Sequence, residues 1–244
     1  MHANNFFDFP ESIKQFSYFF PINDAPWTWL PNIEKALLGY QNFVHLKMKN
    51  IFLKNFEKLF SRSMAVAIGE NVHIGKNVRL PVTYTIEDNV YVGDGTEIRS
   101  GALIRKNVII GEHCVIGNAC EIKNSLIMDH VQIAHFNYVG DSILGSHSHL
   151  AAGAILSNLR FDQQPIRIKI GSEKISTGLK KLGTILGEYA QVGCNSVLLP
   201  GTLVGKNSIV STGMTFGGFL EANRIAYAET KTLIVEQKRK NIKV

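Results

Sequence analysis

Arg105 and Lys123 lie eighteen residues apart, and His135, Tyr138 and Asn158 follow them. A guanidinium and an ammonium together can hold a phosphate-like anion, the first by its planar fork and the second as a point charge. An imidazole moves a proton near neutral pH, while a phenol and a carboxamide orient hydroxyl or amide groups by hydrogen bonding. Each type also has a plainer use. The basic pair would serve equally as a solvated cationic stripe, and the histidine as a turn residue bonded to backbone. The choice depends on whether the chain brings the five together.

The positioning element is a six-residue repeat. From Ile68 an aliphatic residue recurs at every sixth position to Ile122, and a small or β-branched residue follows most of them by four, as at Val72, Val90, Ala102, Cys114 and Cys120. One shortened step leads to Ile127, Ile133 and Val139, a second to Leu144, Leu150 and Leu156, and the ladder returns from Leu186 to Phe216. Neither a helix nor a plain strand has a period of six, but a short strand plus a tight turn does. The aliphatic points inward, the small residue fits a corner, and Gly or Asn supplies the turn. Three units close a triangular coil of eighteen residues, and one coil cannot bury its own interior, so many must stack. The expected fold is therefore mainly β, a parallel β-helix of about seven hexapeptide-repeat coils with an N-terminal helical cap. The pattern resembles that of left-handed β-helices, and the resemblance, not the period, implies the hand.

Residues one coil apart share a face, which stacks Arg105 on Lys123. Counting through the shortened steps puts Asn158 on that face two coils beyond Lys123, with His135 and Tyr138 in the neighbouring turn. The shortened steps precede and enter QIAHFNYVGDSILG, residues 132–145. A dropped residue re-aims a turn as a bulge re-aims a strand, so His135 and Tyr138 are expected to be turned toward the basic face.

The 244 residues are 45% hydrophobic and 19% charged, as in an ordinary soluble domain, and the net charge of +6 favours anionic ligands or an acidic surface. The opening MHANNFFDFPESIK lacks a basic-then-apolar leader pattern, no apolar run is long enough to span a bilayer, and three cysteines make no disulfide framework. A cytoplasmic location with no transmembrane segment is expected. Cys114 and Cys120 fall at small-residue positions and read as buried hydrophobes. Residues 1–64 hold ten of the fourteen Phe and both Trp. They include an amphipathic stretch from about Pro31 to Phe60 whose basic face carries Lys47, Lys49, Lys54 and Lys58, and they read as a helical cap over the open end of the coils. Residues 65–219 form the β-helix, and 220–244 a basic tail. An insertion at about 157–184 carries Arg160, Arg167, Lys169, Lys174, Lys180 and Lys181 against Asp162 and Glu173. Long insertions in compact repeats are commonly functional, so a flap over a site is expected.

The runs EIKNSLIMDHVQIAHFNYVGDSILG, GAILSNLRFD and STGLKKLGTILG resemble the C-terminal β-helix of bacterial and archaeal sugar-1-phosphate nucleotidylyltransferases. That group includes the bifunctional enzyme that acetylates glucosamine-1-phosphate and then uridylylates it. The resemblance covers residues 66–218. It implies an acetyl-CoA-dependent N-acetyltransferase for an amino-sugar phosphate, with glucosamine-1-phosphate as substrate, serving UDP-N-acetylglucosamine and cell-envelope biosynthesis. It places the catalytic histidine on His135, sugar-phosphate contacts on Arg105, Lys123 and Tyr138, and an amino-sugar contact on Asn158. Coenzyme contacts fall near Ala152, Gly153, Cys194 and Ser211, with Lys180 or Lys181 standing in for a family lysine. A homotrimer with sites between subunits is implied, acetyl-CoA is the co-substrate, and neither a metal nor a nucleic-acid partner is expected. Residues 1–64 are too short for the nucleotidylyltransferase domain, so acetylation without uridylylation is expected.

Three positions depart from the family pattern: Leu159 where the bifunctional bacterial enzyme has Tyr, His149 where it has Asn, and Gly183 where it has Lys. Other classes remain open. His130 and His135 have a spacing used by γ-class carbonic anhydrases, although a zinc hydratase needs a third ligand. IAH also occurs in acyltransferases for lipid A precursors. A non-enzymatic trimeric scaffold could present the basic cap to a membrane or nucleic acid.

Overall fold

The computed structural model describes residues 1–40, 66–229 and 233–235. Its centre is a stack of short parallel strands arranged as three sheets of eight, eight and seven strands. We call these face I (from Val66–Ile68 to Thr215–Phe216), face II (from Val72–Ile74 to Phe219–Leu220) and face III (from Glu97–Ile98 to Ile225–Ala226). The chain visits them in that order once per coil, and on face III the first coil contributes only the Arg79–Glu97 bridge. Eight coils result, one more than the aliphatic ladder suggested. The last was hidden because Leu220 follows Phe216 by only four residues and Ala226 occupies the aliphatic position. The coils thus run to residue 226, beyond the expected boundary at 219.

Ile104, Ile116, Ile127, Val139, Leu156 and Leu198 fill the interior with their neighbours in the ladder. Corner residues take left-handed backbone, and Asn, which tolerates it, occupies many corners, as at Asn71, Asn89, Asn107, Asn195 and Asn207.

The outward side of face II is apolar. Tyr91, Ile109, Leu126, Ile143, Ile185 and Leu203 recur there one per coil, and all are buried. Part of their cover comes from residues 1–40, built of three 3-10 segments and the α-helix Ile33–Leu38. Phe16 meets Tyr91 edge-on at 5.1 Å, and Phe7, Phe9 and Phe20 surround Trp29. This corrects the expectation of a cap over the end of the coils: residues 1–40 lie along their flank. Each fully buried Leu or Ile contributes about 1.5–3 kcal/mol, which a column of apolar side chains running the length of the flank obtains and an open end does not. Residues 41–65, with Lys47, Lys49, Lys54 and Lys58, lie outside the described residues.

The insertion supplies the rest of the cover. Arg167–Ile170 and Glu173–Ser176 form an antiparallel hairpin. Ile166, Ile168 and Leu182 are buried with the residues of face II, and Ile170 and Ile175 pack against them. The sequence IRIKI alternates apolar and cationic residues, a strand pattern that seats one side on an apolar surface. The insertion is therefore a packed hairpin on face II, not a flap over His135.

Candidate active site

The two shortened steps fall at the corner between faces I and II, where Asn124 and Asp141 take left-handed backbone with φ of 43° and 49°. They do not turn His135, because its own corner, between faces III and I, keeps the full six-residue step. The shortening instead stacks Asn124, Asp141 and Asn158. Asp141 is buried and accepts hydrogen bonds from Lys123 Nζ at 2.9 Å, from Asn124 Nδ2 at 2.8 Å and from Asn158 Nδ2. The Lys123 side chain is 16% exposed and that of Asp141 7%, so this is a largely desolvated ion pair.

Gly140 makes the cluster possible. It sits beside Lys123 in the parallel register, and a Cβ there would lie 2.6 Å from Asn158 Nδ2 and 2.7 Å from the Tyr138 hydroxyl. Both side chains therefore fold over a bare backbone. Lys123, Tyr138 and Asn158, expected together from the sequence, do meet. Arg105 is in the column of Lys123 but is half-exposed and engaged by Glu121 at 2.9 Å and Glu87 at 3.9 Å. The bond to Glu121 pushes its pKa further up.

His135 ends the preceding strand, Gln132–His135 on face III, with two residues between it and Tyr138–Gly140 and its side chain exposed. Five residues at about 3.3 Å each put its Cα at most about 17 Å from that of Gly140. Its N–H donates to Asn137 Oδ1 at 3.1 Å and its carbonyl accepts from Gly153 N–H at 3.0 Å. Asn137 fills an interior position where adjacent coils have Cys120 and Ala154, and its Nδ2 donates to the carbonyl of Ala151 at 2.7 Å. A buried carboxamide thus fixes the turn that carries the imidazole. Asp141 and Asn137 were both missed in the sequence. The signal for Asn137 was a polar residue at an inward position, and for Asp141 its place at the second shortened step.

Ala152 and Cys194 stack in the column of His135, one and two coils on, and Ser211 lies in the adjacent column beside Gly193. Gly153 is at φ +75°, where any side chain would meet Asn195. Lys180 and Lys181 are exposed at the neck of the insertion, where Lys181 bridges to Leu159, on the Asp141 corner rather than the His135 corner. Gly183 explains its own departure from the family lysine. A Cβ there would collide with Ser142 Oγ and the Gly140 carbonyl, so no side chain fits.

His130 occupies the third corner, between faces II and III. Its ring stacks on His113 at 5.3 Å and on His147 at 4.7 Å, and His147 stacks on Tyr189 at 4.7 Å. The five-residue spacing thus sends His130 and His135 to different corners of one chain. Among the described residues no group of three or more His, Cys, Asp or Glu side chains is placed to hold a metal ion, and no helix among them is long and apolar enough to cross a membrane.

A family model described as GMPPB C-terminal domain matches residues 86–217. The bifunctional protein GlmU of Methanococcus maripaludis strain C7 is 32% identical over 117 residues, 48% of this chain and 28% of that one. A bifunctional sugar-1-phosphate nucleotidylyltransferase/acetyltransferase of Sulfurisphaera tokodaii is 32% identical over 105 residues, 41% of this chain and 26% of its own length. The match therefore spans little more than a quarter of these relatives. The structure of a UDP-N-acetylglucosamine acyltransferase from Francisella novicida is 20% identical, covering 61% of this chain and 54% of that one with a TM-score of 0.47.

Proposed function

The chain belongs to the GMPPB C-terminal domain family, and from that premise we propose that it is an acetyl-CoA-dependent N-acetyltransferase acting on an amino-sugar phosphate, with glucosamine-1-phosphate as the substrate. The observation that carries the reading is the gathering of Tyr138 and Asn158 over Gly140, with Lys123 beside it on Asp141, on the coil that His135 enters at the end of the preceding strand, Gln132–His135. A sugar phosphate laid along face I would place its phosphate toward Arg105 and Lys123 and its amine toward the imidazole.

In this reading the amine nitrogen bonds to the thioester carbonyl carbon while His135 takes the amine proton. The C–S bond then breaks, and the coenzyme sulfur leaves and is protonated. A general base typically contributes about 10²–10⁴-fold, and holding both substrates in one ternary complex up to ~7–11 kcal/mol more. Direct transfer therefore needs no acyl-enzyme, and Cys194 is assigned to coenzyme contact rather than attack. Gly153 N–H is already taken by the His135 carbonyl, which leaves the developing oxyanion to Ala152 N–H. Tyr138 and Asn158 hold sugar hydroxyls or the amide, and Ser211 lines the coenzyme path, whereas Lys180 and Lys181, on the Asp141 corner, are left without a coenzyme role within one chain. Because face I is open, the site is completed by a neighbouring copy in a homotrimer.

Thiol release from acetyl-CoA across a panel of amino-sugar phosphates tests the reading. Turnover is expected with glucosamine-1-phosphate, falling about 10²–10⁴-fold in His135→Ala. Unchanged turnover in that variant would remove the base, and silence with glucosamine-1-phosphate would remove the substrate.

A further inference from the structure

The hairpin of the insertion has two unlike sides. Ile168, Ile170, Ile175 and Glu173 alternate onto the side packed against face II, and Arg167, Lys169, Lys174 and Ser176 onto the side facing out. The register pairs Lys169 directly with Lys174, and Arg167 with Ser176. Three cationic residues therefore share one face of a two-stranded ribbon. Like charges directly opposite each other destabilise an antiparallel pair.

Among the described residues no carboxylate forms an ion pair with them. Glu173 is the hairpin's single acid and lies on the packed side, opposite Ile170. Asp162, the nearest acid before the hairpin, uses both oxygens on the guanidinium of Arg160. The positive side chains instead line a cleft of about 390 Å³ together with Arg160, which pairs with Asp162. That volume is in the range of small-ligand sites. It is lined by the free guanidinium of Arg167, the Asp162-paired guanidinium of Arg160, the ammonium groups of Lys169 and Lys174, the Gln164 carboxamide and the Ser176 hydroxyl, donors suited to a phosphate ester of two or more charges.

We propose that the outer cleft of the 167–176 hairpin is a binding site for a soluble diphosphate-type anion, separate from the His135 corner where the acetyl group would be transferred. The separation follows from the fold. The hairpin seats its apolar side near Gly201, Gly218 and Phe219 on the flank of face II, whereas His135, Ala152 and Cys194 occupy the corner between faces III and I. The inference does not depend on the acetyltransferase reading, since binding is measured without turnover.

The test is calorimetric titration of the full chain with inorganic pyrophosphate, beside Lys169→Gln, Lys174→Gln and Lys174→Glu. Saturable binding is expected that weakens with added salt, drops at least about tenfold in each Gln variant and disappears in Lys174→Glu. The last variant also replaces a like-charge pair by an opposite one, so its thermal midpoint should equal or exceed that of the parent. That outcome separates loss of a site from loss of fold. No pyrophosphate binding, equal affinity in all four proteins, or binding only to vesicles of anionic phospholipid would each overturn the proposal. So would displacement of pyrophosphate by acetyl-CoA, which would assign the cleft to the coenzyme.

Discussion

Asp141→Asn is the sharpest probe of the corner between faces I and II. The native carboxylate receives three donors, two on Oδ2 from Lys123 and Asn158 and one on Oδ1 from Asn124. An amide of the same shape has one oxygen and one NH₂, so whichever way it turns at least one donor faces another donor. The residue's φ of +49° makes Asn a better choice than Ala, since left-handed backbone costs most side chains about 1–2 kcal/mol that Asn largely avoids. Removing one partner of a fully buried pair costs about 3–5 kcal/mol, and losing a hydrogen bond to a charged group about 1.5–3 kcal/mol. Because Lys123 retains 16% exposure, its ammonium can recover some hydration. The expected loss is therefore about 2–3 kcal/mol rather than the upper figure. Urea unfolding should show a lower midpoint at unchanged m-value. Lys123→Met in the Asp141→Asn background should cost at least about 1 kcal/mol less than in the parent, because the uncompensated charge has gone. A variant within about 0.5 kcal/mol of the parent, or strictly additive substitutions, would refute the view that Asp141 holds Lys123 and Asn158 together.

Two further outcomes follow from burial. Burial pushes the Cys114 thiol up to about 12 and raises that of Cys120, while Cys194 is partly exposed. A thiol reagent at pH 8 should therefore titrate one cysteine in the native protein and all three in urea, and fast reaction of two or more would contradict the packed interior. Burial also lowers the pKa of His149 below its ordinary 6.5, so the folded state binds that proton less readily than the unfolded chain. The contribution of this residue is complete above about pH 6.5 and is lost as pH falls through the lower, folded value. The thermal midpoint should drop on acidification through that window, less steeply in His149→Gln, and equal slopes would refute the assignment.

The coils were legible because period six is a strong signal, and the register it implied was good enough to bring Lys123, Tyr138 and Asn158 together. The flank cover was legible too, but at a period of eighteen rather than six. One outward position per coil is apolar, at Tyr91, Ile109, Leu126, Ile143, Ile185 and Leu203, and an exposed sheet face would not repeat that pattern. Counting inward positions alone passes over it, which is why the aromatic N-terminal residues were assigned to an end instead of a side. Asp141 was illegible for a different reason. Nothing local distinguishes a turn aspartate from a buried one until the shortened step beneath it is known to align Asn124 and Lys123 on its two oxygens.

The placement of that network bears on the insertion as well. The chain leaves the coils immediately after Asn158 and re-enters at Leu182 and Gly183. Leu182 N–H donates to the Asn158 carbonyl at 3.0 Å and Gly183 N–H to the Asp141 carbonyl at 2.8 Å. The neck of the insertion is thus tied by backbone to the two residues whose side chains join over Lys123. A loop of this length attached only at its ends would carry a large closure cost and wander, yet here its neck is fixed by the polar corner and its body by the apolar flank. The shortened turns therefore do two jobs at one corner. They assemble the side chains proposed to grip the sugar phosphate, and they anchor the hairpin whose outer side carries the second cationic cleft. A substitution at Asp141 should for that reason loosen the hairpin along with the Lys123 cluster, although the two are distant in sequence.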